Sequence, residues 1–242
     1  MSSLLINQKE KEEENLRNLS QPLYDVAREN EIRTIEFEVH GEENIELSIA
    51  INWGVGVGGG LWSAGMLLCK QMASRVDYFR NLMHGKRVLE LGAGTGLIGL
   101  FAAKLCSPKE MILTDLESHI NLLKQNAQRI GGENDQHCEA ISYDWENDSP
   151  IGEPFDVILG GDLVYNPALY PLFIKAVLLH SNQNTITFLG ITRSDTGRAF
   201  FKSLDKAGFE FYRIPDWETE GKCDAGATRN FGLFAIFLKR NI

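Results

Sequence analysis

The chain predicts an α/β fold: a doubly wound, mostly parallel seven-stranded sheet with an antiparallel C-terminal hairpin, preceded by an N-terminal helix and a β-hairpin. Three observations carry this. Residues 87–99 pass from an apolar run (Val88, Leu89, Leu91) through three alternate glycines (Gly92, Gly94, Gly96) into a helical pattern starting at Leu97. That is a buried strand, a tight turn and a helix N-terminus. From Arg87 onward strand and helix patterns alternate, which implies parallel pairing. The last two strand patterns, 209–213 and 231–238, have no helical pattern between them, which implies an antiparallel pair at one edge.

Residues 7–30 are polar and helix-compatible, with Leu16, Leu19, Leu23 and Val26 on one stripe and Pro22 as a break or start. Residues 34–39 and 45–49 alternate apolar and polar around a turn at 40–44, which predicts a hairpin with one buried face. Five glycines between Gly54 and Gly60 lead to an apolar helix beginning near Leu61. Helices are expected near 96–105, 117–129, 168–179 and 195–207. Strands are expected at 87–91, 111–114 (ending at Asp115), 138–143, 155–159 and 185–189. The first 50 residues are therefore an extension, and residues 51–242 form the main domain.

Composition narrows the function. Of 242 residues, 43% are hydrophobic and 24% charged, as in a soluble globular protein. No apolar run approaches the roughly 18 residues of a membrane span, and the N-terminus turns polar too soon for a signal-peptide core. The net charge of −9 is concentrated in residues 1–47, which hold twelve acids and five bases. A basic stripe would announce a nucleic-acid substrate, so none is expected. The acidic segment is either a solvated face or an added element that favours a basic protein target. Cys69, Cys106, Cys138 and Cys223 are scattered, with no paired spacing for a metal. Free thiols in a reducing compartment, no metal, and a cytoplasmic monomer (with the nucleus also open to it) are the expectations.

The glycine turn admits two ligands. Gly94, Gly96 and Gly99 fit a dinucleotide fingerprint, with Asp115 downstream to hold a ribose. Glu90, however, lies in the strand end two residues before Gly92, where a carboxylate repels a pyrophosphate and serves a cation. S-adenosylmethionine has an ammonium, a sulfonium and no phosphate. The five histidines make poor general bases. His40 falls in the hairpin turn, His84 and His180 at helix ends, His137 in a polar strand entry, and His119 is read as structural or solvated.

Four segments narrow the reading: Val57–Gly65 with its Trp62, Val88–Gly96, Leu113–Glu117, and Gly161–Tyr165 with Asp162-Leu163-Val164-Tyr165. Together they resemble the seven-β-strand S-adenosylmethionine-dependent (class I) methyltransferases, and among them the protein-lysine methyltransferase family marked by an Asp-x-x-Tyr motif. The resemblance covers about residues 50–240. It implies that Gly92, Ala93, Gly94 and Gly96 line the methionine part of the cofactor, with Glu90 supporting that loop or the ammonium. It implies that Asp115 takes the ribose hydroxyls, that Trp145 with Asp144 flanks the adenine, that Gly161 passes close by, and that Trp62 covers the cofactor. Asp162 and Tyr165 would be catalytic. Ser63 departs from the Asp or Pro common in the family.

The implied reaction transfers methyl groups to a lysine of a protein substrate and leaves S-adenosylhomocysteine. Three alternatives remain. One keeps the fold and changes the acceptor to histidine, arginine or a small amine; another is a nicotinamide-dependent oxidoreductase using the same glycines; the third is a catalytically silent interaction module that still binds cofactor but methylates no protein.

Overall fold

The computed structural model describes residues 31–131, 138–193, 195–214 and 231–240. Strands β1 (Glu31–Phe37) and β2 (Ile45–Ile51) form a two-stranded antiparallel sheet. Two 3-10 turns, Trp53–Val55 and Val57–Gly59, lead to α1 (Ser63–Ser74) and α2 (Val76–Met83). Then come β3 (Arg87–Glu90), α3 (Leu97–Cys106), β4 (Glu110–Asp115), α4 (Glu117–Gly131) and β5 (Cys138–Ser142). They are followed by β6 (Val157–Gly161), a 3-10 turn at Pro167–Leu169, α5 (Tyr170–His180) and β7 (Ile186–Thr192). Helix α6 (Arg198–Lys206) and strands β8 (Phe209–Ile214) and β9 (Phe231–Leu238) complete the described chain.

The large sheet has the order β5-β4-β3-β6-β7-β9-β8. β3 pairs in parallel with β4 on one side and β6 on the other, and β9 runs antiparallel to both β7 and β8. Being central, β3 is apolar on both faces: Val88 enters the core beneath α1–α4, Leu89 the core beneath α5 and α6. Chain direction away from β3 reverses there, so a crevice opens at the carboxyl ends of β3 and β6.

The N-terminal end of α1 lies on that edge because glycines let it in. A Cβ on Gly190 would stand 2.7 Å from the Ala64 carbonyl, and one on Gly161 3.1 Å from the Gly65 Cα.

The hairpin is joined to the main body rather than hanging free. Phe37 packs on Phe101 at a ring separation of 4.4 Å, and Glu42 in the hairpin turn grips Arg80 of α2 through two bonds of 2.6 and 2.9 Å. Asn126 of α4 is fully buried and makes three bonds: it accepts from Ala50 N (2.8 Å) and donates to Ala50 O (3.0 Å) and Thr95 O (2.9 Å). One amide thereby ties β2 to the glycine turn.

The predicted helix within 7–30 lies outside the described residues, as do His137 and Cys223. The sequence places strand four at 155–159, but β6 runs two residues later. Phe155 N donates to His180 O and Asp156 N to Arg87 O, so these two residues lead in before pairing with β7 begins at Val157. Gly160 and Gly161, which look like a strand terminus, instead pair with Leu189 and Gly190.

Asn126→Ala should destabilise the protein by ~3 kcal/mol, because it leaves three backbone groups unpaired inside the fold and each costs about 1–3 kcal/mol. Equilibrium denaturation measures this; a loss under ~0.5 kcal/mol would mean that the fold does not depend on this link.

Candidate active site

The turn from β3 to α3 is left-handed at every second residue: Gly92, Gly94 and Gly96 have φ of 58°, 55° and 83°. Side-chain-bearing residues avoid this conformation. Each bare glycine also receives a neighbour. A Cβ on Gly92 would meet Leu163 Cδ2 at 2.5 Å and Trp145 Cζ2 at 3.4 Å. One on Gly94 would meet the Gly58 carbonyl at 2.6 Å, and one on Gly96 the Leu123 methyl at 2.6 Å. Ala93 N is bonded to Thr114 O at 2.8 Å, which fixes the turn against β4.

Three acids end neighbouring strands. Glu90, 1% exposed at the end of β3, accepts a 2.8 Å bond from Gly99 N in the first turn of α3. Burial pushes its carboxyl up to about 8, with the Gly99 bond opposing and the Asp115 charge adding to the shift. Asp115, at the end of β4, accepts from Gly94 N and Leu116 N, both at 2.7 Å, and its Oδ1 lies 3.2 Å from His119 Nδ1. Asp162 follows β6 at a φ of 56°, a strained conformation for a residue with a side chain. Its Oδ1 accepts from Thr192 Oγ1 at 2.6 Å and its Oδ2 from Ala64 N at 3.3 Å, and its own N–H donates to Gly190 O. Burial raises its carboxyl above the ordinary value, against the pull of those two bonds.

Trp62 stands at the N-terminus of α1, its Nε1 donating to Val57 O at 2.9 Å and its ring edge-on to Trp53 at 6.0 Å. Trp145 lies between Gly92 and Phe173. Gly161 faces Gly65 and Ile98. Asp115 bonds Gly94 directly and Trp145 lies over Gly92, while Glu90 and Ala93 reach this edge through Thr114, Trp62 through Val57, and Asp162 through Ala64 at the start of α1. Tyr165 is half-exposed three residues beyond Asp162. Asp144 is outside this set; it turns back to bond Glu146 N and Asn147.

Sequence reasoning missed Thr192, Leu163 and Asn126. Only Asn126 leaves a signal, a polar residue on the buried stripe of α4 beside Leu123 and Ala127. His180 behaves as read: its Nδ1 bonds the Ala176 carbonyl and its Nε2 accepts from Ile151 N.

Among the described residues no helix is long and apolar enough to cross a membrane. No group of three or more His, Cys, Asp or Glu is placed among them to hold a metal ion.

The strand order and the glycine edge define a class I, Rossmann-like methyltransferase fold. The magnesium protoporphyrin IX methyltransferase of Synechocystis, solved with bound S-adenosylhomocysteine, superposes with a TM-score of 0.55. It has 13% identity over 72% of this chain and 84% of that one. Residues 41–207 match the model of the lysine methyltransferase family, and the chain belongs to that family. It is 33% identical over 167 residues to the Mus musculus EEF1A lysine methyltransferase 3, covering 66% of this chain and 68% of that protein. To the Xenopus tropicalis protein of the same name it is 30% identical over 147 residues, covering 60% and 62%. The chain thus spans about two thirds of the length of these relatives.

The buried Glu90 makes stability depend on pH. Its folded value of about 8 lies above the ordinary 4.5, so the fold favours the neutral form. That contribution is complete below about pH 4.5 and is lost as pH rises through 8. Glu90→Gln cannot ionise and should escape the decline. Relative to the variant, the wild type should lose roughly 3–5 kcal/mol of unfolding free energy between pH 5 and 8.5. Urea titrations at several pH values check this; a constant difference would contradict the assignment.

Proposed function

We propose that this chain transfers a methyl group from S-adenosylmethionine to the side-chain amine of a lysine in a protein. The observation that carries the reading is the row of acids, Glu90, Asp115 and Asp162, ending β3, β4 and β6 beside a turn with three alternate glycines. Such a row repels a pyrophosphate and suits a cofactor bearing an ammonium and a sulfonium, which disfavours the nicotinamide reading. Membership of the lysine methyltransferase family and the names of its relatives support lysine as the acceptor. The protein acts as a monomer in the cytoplasm or nucleus; the buried thiols of Cys69 and Cys106 suit a reducing compartment.

The residues fit the cofactor. Gly92, Ala93, Gly94 and Gly96 form the turn that would carry the methionine part, and Glu90 behind it would gain its charge beside a cation. Asp115 offers carboxylate oxygens to paired hydroxyls. Trp145, Gly161 and Trp62 would line and cover it. When bound, S-adenosylmethionine supplies a methyl group activated by the sulfonium.

The rest falls to this chain's residues. A lysine amine with an ordinary pKa of ~10.4 carries a proton at pH 7, and baring its lone pair costs roughly 4–5 kcal/mol. Asp162 is suited to holding that amine in line. Its oxygens accept from the Thr192 hydroxyl and Ala64 N, with the Thr192 backbone beside them, and keep a lone pair for an N–H of the acceptor. The Tyr165 hydroxyl, at the exposed rim, orients the same amine. With its rotamer fixed by Thr192 and Ala64, Asp162 contributes mainly by orientation, and the amine's proton passes to water.

Asp115→Ala should weaken S-adenosylhomocysteine binding by roughly 1.5–3 kcal/mol, the value of charged hydrogen bonds. Calorimetry showing unchanged affinity would remove Asp115 from the site. Asp162→Ala should abolish most transfer while cofactor affinity falls less than tenfold. A variant that turns over normally, or that fails to bind cofactor, would overturn that role. Labelling an extract lacking the protein with a radioactive methyl donor, then mapping the modified residue by mass spectrometry, tests the acceptor. Label on histidine, arginine or a small amine would replace lysine.

A further inference from the structure

His119 sits in the first turn of α4, four residues after Asp115, and is 7% exposed. Its Nδ1 lies 3.2 Å from Asp115 Oδ1 and 3.1 Å from Ser118 Oγ. Its Nε2 is buried with no hydrogen-bond partner. Over the ring lies the glycine loop that precedes α1. A Cβ on Gly58 would stand 2.6 Å from His119 Cδ2, and one on Gly56 3.8 Å from Nε2. The carbonyl of the same Gly58 lies 2.6 Å from the Cβ position of Gly94. One imidazole therefore touches both the acid at the end of β4 and the loop that closes over the β3–α3 turn.

The chemistry sets its tautomer. Asp115 is the acceptor facing Nδ1, so the ring hydrogen belongs there. That bond also strengthens the ring's hold on a proton, with burial opposing. Asp115 then has three donors, Gly94 N, Leu116 N and His119 Nδ1, spread over both oxygens. Its rotamer is set before any ligand arrives, which lowers the ordering cost of binding. Neither contact requires His119 to exchange a proton with substrate.

We infer that His119 is a positioning residue for the cofactor: it orients Asp115 toward the ribose and seats the 56–58 loop against Gly94. The inference rests on the reading of Asp115 as the ribose-binding acid.

The test is calorimetric titration of the full chain with S-adenosylhomocysteine, in a double-mutant cycle. His119→Phe keeps a ring and loses the bond to Asp115; it should raise Kd about tenfold. In an Asp115→Ala background the same change should add less than twofold, because the acid it orients is gone. His119→Asn, whose amide reaches the Nδ1 position, should recover most of the affinity. His119→Gln, whose amide reaches the Nε2 position, should not. Wild-type affinity in His119→Phe, or an equal loss with and without Asp115, would reduce His119 to a packing residue and overturn the inference. Unchanged affinity in Asp115→Ala alone would instead sink the reading of Asp115. If His119→Phe fails to fold, the Asn and Gln variants decide: equal Kd values for the two would refute the role.

Discussion

Six residues, Leu91 to Gly96, take the chain from the end of β3 into α3, and the backbone that does so is left-handed at Gly92, Gly94 and Gly96. This constraint organises the carboxyl edge of the sheet. Left-handed glycines present no Cβ, and three parts of the chain occupy the space: Leu163 and Trp145 over Gly92, the Gly58 loop over Gly94, and Leu123 over Gly96. A side chain at any of these three positions would displace them as well as strain the backbone. The bare faces of these glycines let the molecule close around the turn.

The second theme is buried carboxyl groups held by backbone N–H groups. Glu90 rests on Gly99 N, Asp115 on Gly94 N and Leu116 N, and Asp162 on Ala64 N. Gly99 and Ala64 belong to the first turns of α3 and α1, where unpaired amides and the helix dipole favour an acid. These bonds do not cancel the cost of burial: Glu90 is still pushed up to about 8, and Asp162 is raised too. A positively charged ligand would relieve both. The edge is therefore strained electrostatically in the direction that a cationic cofactor and an amine substrate correct. Asp162 adds backbone strain, held by its N–H bond to Gly190.

Much of this was legible. Alternating patterns, the three glycines and the helix-free ending specify the sheet and its antiparallel edge, because each is a relation among residues close in sequence. Glu90 stood out as an acid in an apolar strand, and that oddity led to a cationic ligand. The same local logic failed at β6. Its glycines read as a stop, whereas they continue the ladder because α1 needs their bare faces. Nor does it show what surrounds His119, the Gly56–Gly58 loop some sixty residues earlier in the chain.

What the sequence determined by itself, then, is the alternation of strands and helices from Arg87 onward, the site of the tight turn, and the chemical character of the strand ends. Period, glycine conformation and charge are intrinsic to short stretches. What the tertiary structure alone decided is which groups meet. Asn126 joins Ala50 to Thr95, Asp162 receives Ala64 and Thr192, and Gly58 covers His119 and Gly94. Each of these contacts spans about thirty to a hundred residues of chain. They form because a buried polar group must find a partner and a bare backbone must be covered, and no pattern among neighbours in the chain says which partner that will be.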